Sequence, residues 1–430
     1  MNYTYKQIWL INFPVMMSIL MEQLINITDA LFLGHVGETE LGASAIAGIY
    51  YLAIYMPGFG FSIGLQILVA RRNGEQEYRQ TGRTFFQGLF FLSALAVTLC
   101  LLILTASPFI LKRLISSPEI YRAVITYLDW RSFGLLFSFP FLAIRSFLVG
   151  IIYTRALSCA ALIAVAVNIP LNYLFIFSLG SGIAGAAIAS SIAEIVSFVV
   201  LAIYMYRNTD RKKFGLTPVY DSRLLAALLR LSVWSMLHAF ISVAPWFLFF
   251  IAVEHLGKTE LAISNITRSV SALFFVIANS FAITTGSLVS NLIGAGEGKG
   301  LFTVCGKVLK LGYAIGIPLV ALAMLYNQYI IGFYSDNSSL VQLAFTPFIV
   351  MLLNYTFALP GYVYLNAVGG IGNTRMTFIF QVTTTVIYLA YLYWLSYYTE
   401  ASLAIYLTAE YLFVILLGLQ SVIYLKLKHY

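Results

Sequence analysis

The first long apolar stretch of the chain carries three side chains at odds with it, Glu22, Asn26 and Asp29. Their spacing of i, i+4 and i+7 puts them on one helical face. Further on, Asn168 and Asn172 stand one turn apart with Pro170 between them, and the next apolar stretch holds Ser190, Ser191 and Glu194. A carboxylate at the centre of a bilayer costs about 2.5–3.5 kcal/mol on insertion scales, so acids retained there usually have a function. Two kinds of chemistry relieve that cost. Asp29 can take up a proton and lose its charge, or a monovalent cation such as Na+ can be held by Asp29 with the oxygens of Asn168, Asn172 and a serine. In both cases occupancy changes the local charge, which is what ion-coupled movement requires. The plainer alternative is that the asparagines tie helices together and the acids face a passive, water-filled space.

These residues need helices to position them, and the composition says what kind. Of 430 residues, 60% are hydrophobic and 10% are charged, against roughly 25% charged in an ordinary soluble domain. Too few charges remain to coat a soluble surface, so the fold class expected is an all-α polytopic membrane protein. Spanning helices need about 20 mainly apolar residues. Twelve such runs lie near 8–34, 45–70, 84–107, 124–150, 157–178, 183–205, 231–253, 262–290, 308–333, 341–368, 376–396 and 403–425. The net charge of +8 does not point to nucleic acid, because 18 of the 25 Lys and Arg fall in loops or at run ends on one side of these runs. The positive-inside rule then puts both termini in the cytoplasm. Cys100, Cys159 and Cys305 have no paired spacing, and His35, His238, His255 and His429 form no cluster, so neither a disulfide framework nor a metal cofactor is expected.

The twelve runs are two copies of six. His35-Val-Gly-Glu-Thr-Glu-Leu41 reappears as His255-Leu-Gly-Lys-Thr-Glu-Leu261, with five of seven residues identical at an offset of 220. The same offset pairs Ser44 with Ser264, Phe61 with Phe281, Gly74 with Gly294, Pro140 with Pro360 and Arg155 with Arg375. The domain expectation is an N-terminal six-helix lobe (1–206), a basic cytoplasmic linker (207–230) and a C-terminal six-helix lobe (231–430). Copies with an even number of helices enter the membrane from the same side, so a pseudo-two-fold along the membrane normal is expected to relate them. The polar set is confined to the first copy. By the offset, Asp29 corresponds to Phe249, Asn168 to Tyr388, Asn172 to Leu392 and Ser190 to Glu410, the last being the exception among mostly apolar replacements.

Pro14…Asn26-Ile-Thr-Asp29-Ala-Leu-Phe-Leu-Gly34 resembles the first helix of the multidrug and toxic compound extrusion (MATE) family, with a proline about four turns ahead of an aspartate. Asn168-Ile-Pro-Leu-Asn172 is similar to that family's Asn-Ile-x-Leu-Asp, and Gly182-Ile-Ala-Gly-Ala-Ala-Ile-Ala-Ser190 to its Gly-x-x-Gly-Ala-Ala-x-Ala-Thr. Tyr127-Leu-Asp-Trp-Arg131 and Gly150-Ile-Ile-Tyr-Thr-Arg155 fit its fourth helix and following loop, closest to the DinF-type branch. The resemblance implies an antiporter of the inner membrane that exports bulky, often cationic organic compounds in exchange for H+ or Na+ by alternating access. It implies no enzymatic activity, no cofactor and a monomer in the lipid bilayer. It maps the coupling site onto Asp29, Asn168, Asn172 and Ser190, with Glu22, Asn26 and Glu194 as additional candidates. Pro14 is where the first helix would bend. Asn172 stands where the family commonly has an aspartate, which lowers the site's negative charge and favours H+ over Na+.

Tyr355 and Tyr362, and Tyr388 and Tyr391, are candidates for a substrate surface because aromatic faces suit organic cations, although tyrosines also form interfacial belts. Gly294-Ala-Gly-Glu-Gly-Lys-Gly300 fails the phosphate-loop pattern, so no ATPase is expected. The rival reading is a flippase for a lipid-linked saccharide, whose pyrophosphate needs cations in the cleft. Arg131, Arg145 and Arg268 are the three candidates, unless each lies near a helix end and snorkels.

Overall fold

A computed structural model describes the chain except residues 1, 2, 116, 255, 333–337, 429 and 430. His255 and His429 therefore fall outside the described residues. Among the described residues, twelve helices are long and apolar enough to cross a membrane. They are α1 (Tyr5–Val36), α2 (Gly42–Gly74), α3 (Tyr78–Leu114), α4 (Pro118–Gly150), α5 (Arg155–Ser178) and α6 (Gly182–Asn208) in the first repeat. The second repeat supplies α7 (Ser222–Trp246), α8 (Ile263–Gly294), α9 (Gly298–Leu325), α10 (Val341–Gly370), α11 (Thr374–Tyr398) and α12 (Leu403–Leu427). Among the described residues there is no strand. The chain is a multi-pass, all-α membrane protein.

Local sequence explains where the helices start and break. Ser117 caps α4 by accepting from the Ile120 backbone N–H, with Pro118 in the first turn, where its missing N–H costs nothing. In α7 the helix Ser222–Ile241 ends in a two-residue turn before Ala244–Glu254 resumes. Pro245 accounts for the break: it has no N–H, and its ring would meet the carbonyl four residues back. Pro360 likewise frees the Thr356 carbonyl in α10, and the Tyr313 hydroxyl donates to that oxygen at 2.7 Å.

The chain forms two compact units, Phe13–Met236 and Met1–Asn12 with Leu237–Tyr430. In the first, α4 is the central helix: α2, α3 and α6 pack against it, and α5 packs against α6. Gly60 and Gly64 of α2 lie so close to the middle of α7 that an added Cβ would meet the Ser235 carbonyl oxygen at 2.4 Å and Ser232 Oγ at 2.2 Å. In the second unit α8 and α12 pack on α10, and α11 on α12. The order of neighbours repeats, so the duplication in the sequence is also one of packing.

The segment between the repeats is ordered against the first unit. Asp210 caps a single turn, Arg211–Phe214, which ends on Gly215 at φ 55°, the left-handed region that favours glycine. Phe214 is buried edge-on to Tyr78 and Phe147. Gln87 holds the segment that follows, donating to the Val219 carbonyl at 2.6 Å and accepting from the Asp221 N–H at 3.0 Å. α7 begins at Ser222, inside the segment read from sequence as linker. Arg223 and Arg230 had lowered its apparent hydropathy.

Candidate functional site

Three helices of the first unit deliver the polar residues to one place. α1 runs unbroken through Pro14 and carries Asp29 near its end. α5 carries Asn168 and Asn172 on either side of Pro170, and directly after Tyr173 it widens into a π-helix, Leu174–Ser178. Such turns are frequent at functional sites. α6 brings Ser190 because its first turns are made of small residues; a Cβ on Gly185 would meet the Phe175 backbone at 2.8 Å.

Asp29, Asn168, Asn172 and Ser190 close a ring of hydrogen bonds. Asn172 Nδ2 donates to Asp29 Oδ1 at 2.5 Å and to Asn168 Oδ1 at 3.0 Å. Asn168 Nδ2 donates to Ser190 Oγ at 3.2 Å, and Ser190 Oγ donates to Asp29 Oδ2 at 2.5 Å. All four are buried, Asp29 at 8% and both asparagines at 0% exposure. Each oxygen of Asp29 thus receives a donor, the arrangement that fits an ionised carboxylate. No cation is among these direct partners. Asn172 Oδ1 is buried without a hydrogen-bond partner, so the ring contains one acceptor still to be satisfied. Among the described residues no group of three or more His, Cys, Asp or Glu is placed to hold a metal ion.

Glu22 and Asn26 share the face of Asp29 but do not join the ring. Both are exposed, and Glu22 is within electrostatic range of Arg145 and Glu194. Glu194 is instead an ion-pair partner. Its Oε1 lies 2.5 Å from Arg131 Nη2, and the Arg131 guanidinium sits 4.5 Å above the Tyr51 ring. Gly134 makes room for the pair, since a Cβ there would meet Glu194 Oε2 at 2.3 Å and Arg131 Nη1 at 2.6 Å. Arg131 is also the cation whose field reaches Asp29. It stands well inside α4, so it does not snorkel from a helix end. An arginine and a glutamate inside spans of the same half were the signal that could have paired them; at 63 positions apart, spacing alone could not.

In the second unit Glu410 accepts from the Tyr388 hydroxyl at 3.0 Å and pairs with Arg268 at 3.3 Å. The Arg268 guanidinium lies 4.6 Å from the Trp246 ring and 4.5 Å from that of Phe249. Tyr388 and Tyr355 are buried, and the Tyr355 hydroxyl is bonded to the Gly312 carbonyl at 2.9 Å. Tyr362 and Tyr391 are half-buried. Tyr362 meets Phe275 edge-on, while Tyr391 shares a hydrogen bond with Thr408 Oγ1 and stacks on Trp394.

Comparison with known proteins follows the same duplication. The MatE family model matches residues 14–174 and again residues 235–394, so the two matches end 220 residues apart, the offset of the internal repeat. The multidrug resistance protein NorM of Aliivibrio fischeri is 25% identical over 383 residues, covering 86% of this chain and 81% of that protein. A multidrug resistance MATE family transporter of the MOP superfamily, solved in an outward-facing conformation, superposes with a TM-score of 0.92 at 18% identity over 99% of this chain and 95% of that one. A MATE structure in complex with MaL6 gives 0.88 at 20% identity, over 99% and 96% of the two chains.

Proposed function

The chain belongs to the MatE family of multidrug-extrusion transporters and is a transporter rather than an enzyme; from that premise we propose that it exports organic cations across the inner membrane in exchange for H+ taken up at Asp29. The observation that carries this reading is the closed ring Asp29–Asn172–Asn168–Ser190, in which a buried carboxylate has only neutral direct partners. The fixed cation whose field reaches it, Arg131, is already paired with Glu194, which leaves a mobile ion to compensate the charge. When Asp29 is protonated, one of its oxygens turns from acceptor to donor. If that oxygen is Oδ1, it becomes a donor and a poorer acceptor, which favours turning the Asn172 amide over to offer Oδ1, the acceptor that is otherwise unsatisfied. Turning the amide also withdraws its bond to Asn168, so neutralising Asp29 rewires the bonds that tie α5 to α1. The single carboxylate in the ring supports H+; Na+ bound by Asp29, Asn168 and Asn172 is the alternative coupling ion.

Transport follows as alternating access of the two lobes, 1–206 and 231–430, linked through 207–230, with both termini cytoplasmic and the protein acting as a monomer. A ligand shifts a two-state equilibrium only by its differential affinity for the states. Proton and substrate must therefore favour opposite states, the proton acting through Asp29 and helix α1 with Pro14 as its point of bending. The half-buried rings of Tyr362 and Tyr391 are offered for the substrate. A lipid-linked pyrophosphate is less well served, because two of the three candidate cations, Arg131 and Arg268, are already committed to Glu194 and Glu410. The test is uptake of a fluorescent organic cation into inside-out vesicles under imposed pH or Na+ gradients. The expected result is pH-driven uptake that Asp29→Asn abolishes at unchanged expression. Full uptake by that variant would overturn the reading, and a response to Na+ alone would move the coupling to Na+.

A further inference from the structure

The repeat offset lays the two ends of the molecule's polar chemistry on top of each other. Asn168 and Ser190 hydrogen-bond between α5 and α6. Their counterparts at +220, Tyr388 and Glu410, hydrogen-bond between α11 and α12. The second unit therefore has a carboxylate at the equivalent place, but from its last helix instead of its first. The position of Asp29 is taken by Phe249, and the guanidinium of Arg268 lies against that ring. The counterpart of Arg268 in the first unit is Gly48, which has no side chain and open space where a Cβ would be.

We infer that Arg268 is a tethered cation that permanently fills, in the second unit, the role a mobile ion fills at Asp29, so that Glu410 takes up neither H+ nor Na+ during transport. Three features support this. The guanidinium is enclosed, with 1% of the Arg268 side chain exposed against 15% for Glu410, so the cation stays and the acid is the part that ions could reach. Trp246 and Phe249 bind the guanidinium from their faces, and such contacts gain strength when desolvated. Among the described residues, the groups shown to face Glu410 are Arg268 from α8, Tyr388 from α11 and Tyr362 from α10, and Arg268 is the cation among them. A fixed guanidinium in direct contact supplies the positive charge without exchange; at Asp29 the ring is neutral and Arg131, whose field reaches it, is paired with Glu194, which leaves that charge to be recruited.

The inference rests on the proposed ion coupling at Asp29, but its test stands apart from it. Purified protein is titrated for proton uptake and for 22Na+ binding. Glu410→Gln should leave both unchanged, because Glu410 holds no mobile ion. Arg268→Met should gain about one bound ion per molecule, in the Asp29→Asn background as well as in the wild type, and Arg268→Met/Glu410→Gln should lose that gain. A loss of ion uptake in Glu410→Gln would overturn the inference. So would unchanged uptake in folded Arg268→Met, or a gain that survives the second substitution. If Arg268→Met does not fold, Glu410→Gln decides alone. Failure of the Asp29 reading would show separately, as unaltered uptake in Asp29→Asn with Arg268 intact.

Discussion

Asp29 is reached by donors along two routes from one amide, directly from Asn172 and through Asn168 and Ser190. Any replacement that removes a single link leaves the other route in place, so the members should differ in importance. Ser190→Ala removes the donor on Oδ2 but keeps Asn172, and it is expected to slow pH-driven uptake without abolishing it, in contrast to Asp29→Asn; vesicle uptake rates compare the two. Arg131 and Glu194 make a second prediction. The pair is half-buried, so removing one partner costs up to about 3 kcal/mol, the low end for a buried pair, because the other charge is left uncompensated. Glu194→Gln and Arg131→Met should each lower thermal stability, and the double variant should be more stable than either, as measured by the loss of monodisperse protein on heating. The ring was legible in the sequence because amides and acids inside apolar runs stand out, and because the spacing of Asn168 and Asn172 is that of a helical face. The ion pairs were not, since spacing says nothing about which helices become neighbours.

Helices in lipid gain little from hydrophobic association and depend on close packing, so small residues set how near they approach. Gly64 faces Ser232 with no room for a methyl group. Gly64→Leu should therefore prevent α2 from seating on α7 and reduce the yield of monodisperse protein in size-exclusion chromatography, whereas Gly42→Ala, at a position with open space, should leave it unchanged. Pro14 works the other way. It removes one rung of the backbone ladder in α1 without interrupting the helix. Pro14→Ala restores that rung, and the expected outcome is slower uptake with proton binding retained, read by rate and titration on one preparation. The count of twelve helices and their repeat were readable from hydropathy and from the 220-residue register. The break in α7 and the early start at Ser222 were not, because a proline near a helix start and two arginines on its outer face resemble a loop in a hydropathy window.

At the scale of the whole chain, the two six-helix repeats and the two compact units share most but not all of their residues. The chain passes from one unit to the other inside α1, at Asn12–Phe13, and again inside α7, at Met236–Leu237. Residues 222–236 thus complete the unit built by the first repeat, and Met1–Asn12 that built by the second. Thr284 Oγ1 donates to Asn12 Oδ1 at 3.0 Å, and Lys307 Nζ donates to the Tyr3 carbonyl at 2.9 Å. The phenol of Tyr3, which burial pushes up to about 12, stays neutral in that setting. A chain cut after Gly215 and co-expressed as 1–215 and 216–430 should recover uptake, and neither piece should do so alone. The same arrangement separates place in the gene from place in the fold. Trimming the first twelve residues should loosen amides in α8 and α9, some 270 residues downstream, before those of α2 or α4, and hydrogen exchange would register it. A label or processing event at the amino end is therefore a perturbation of the carboxyl half.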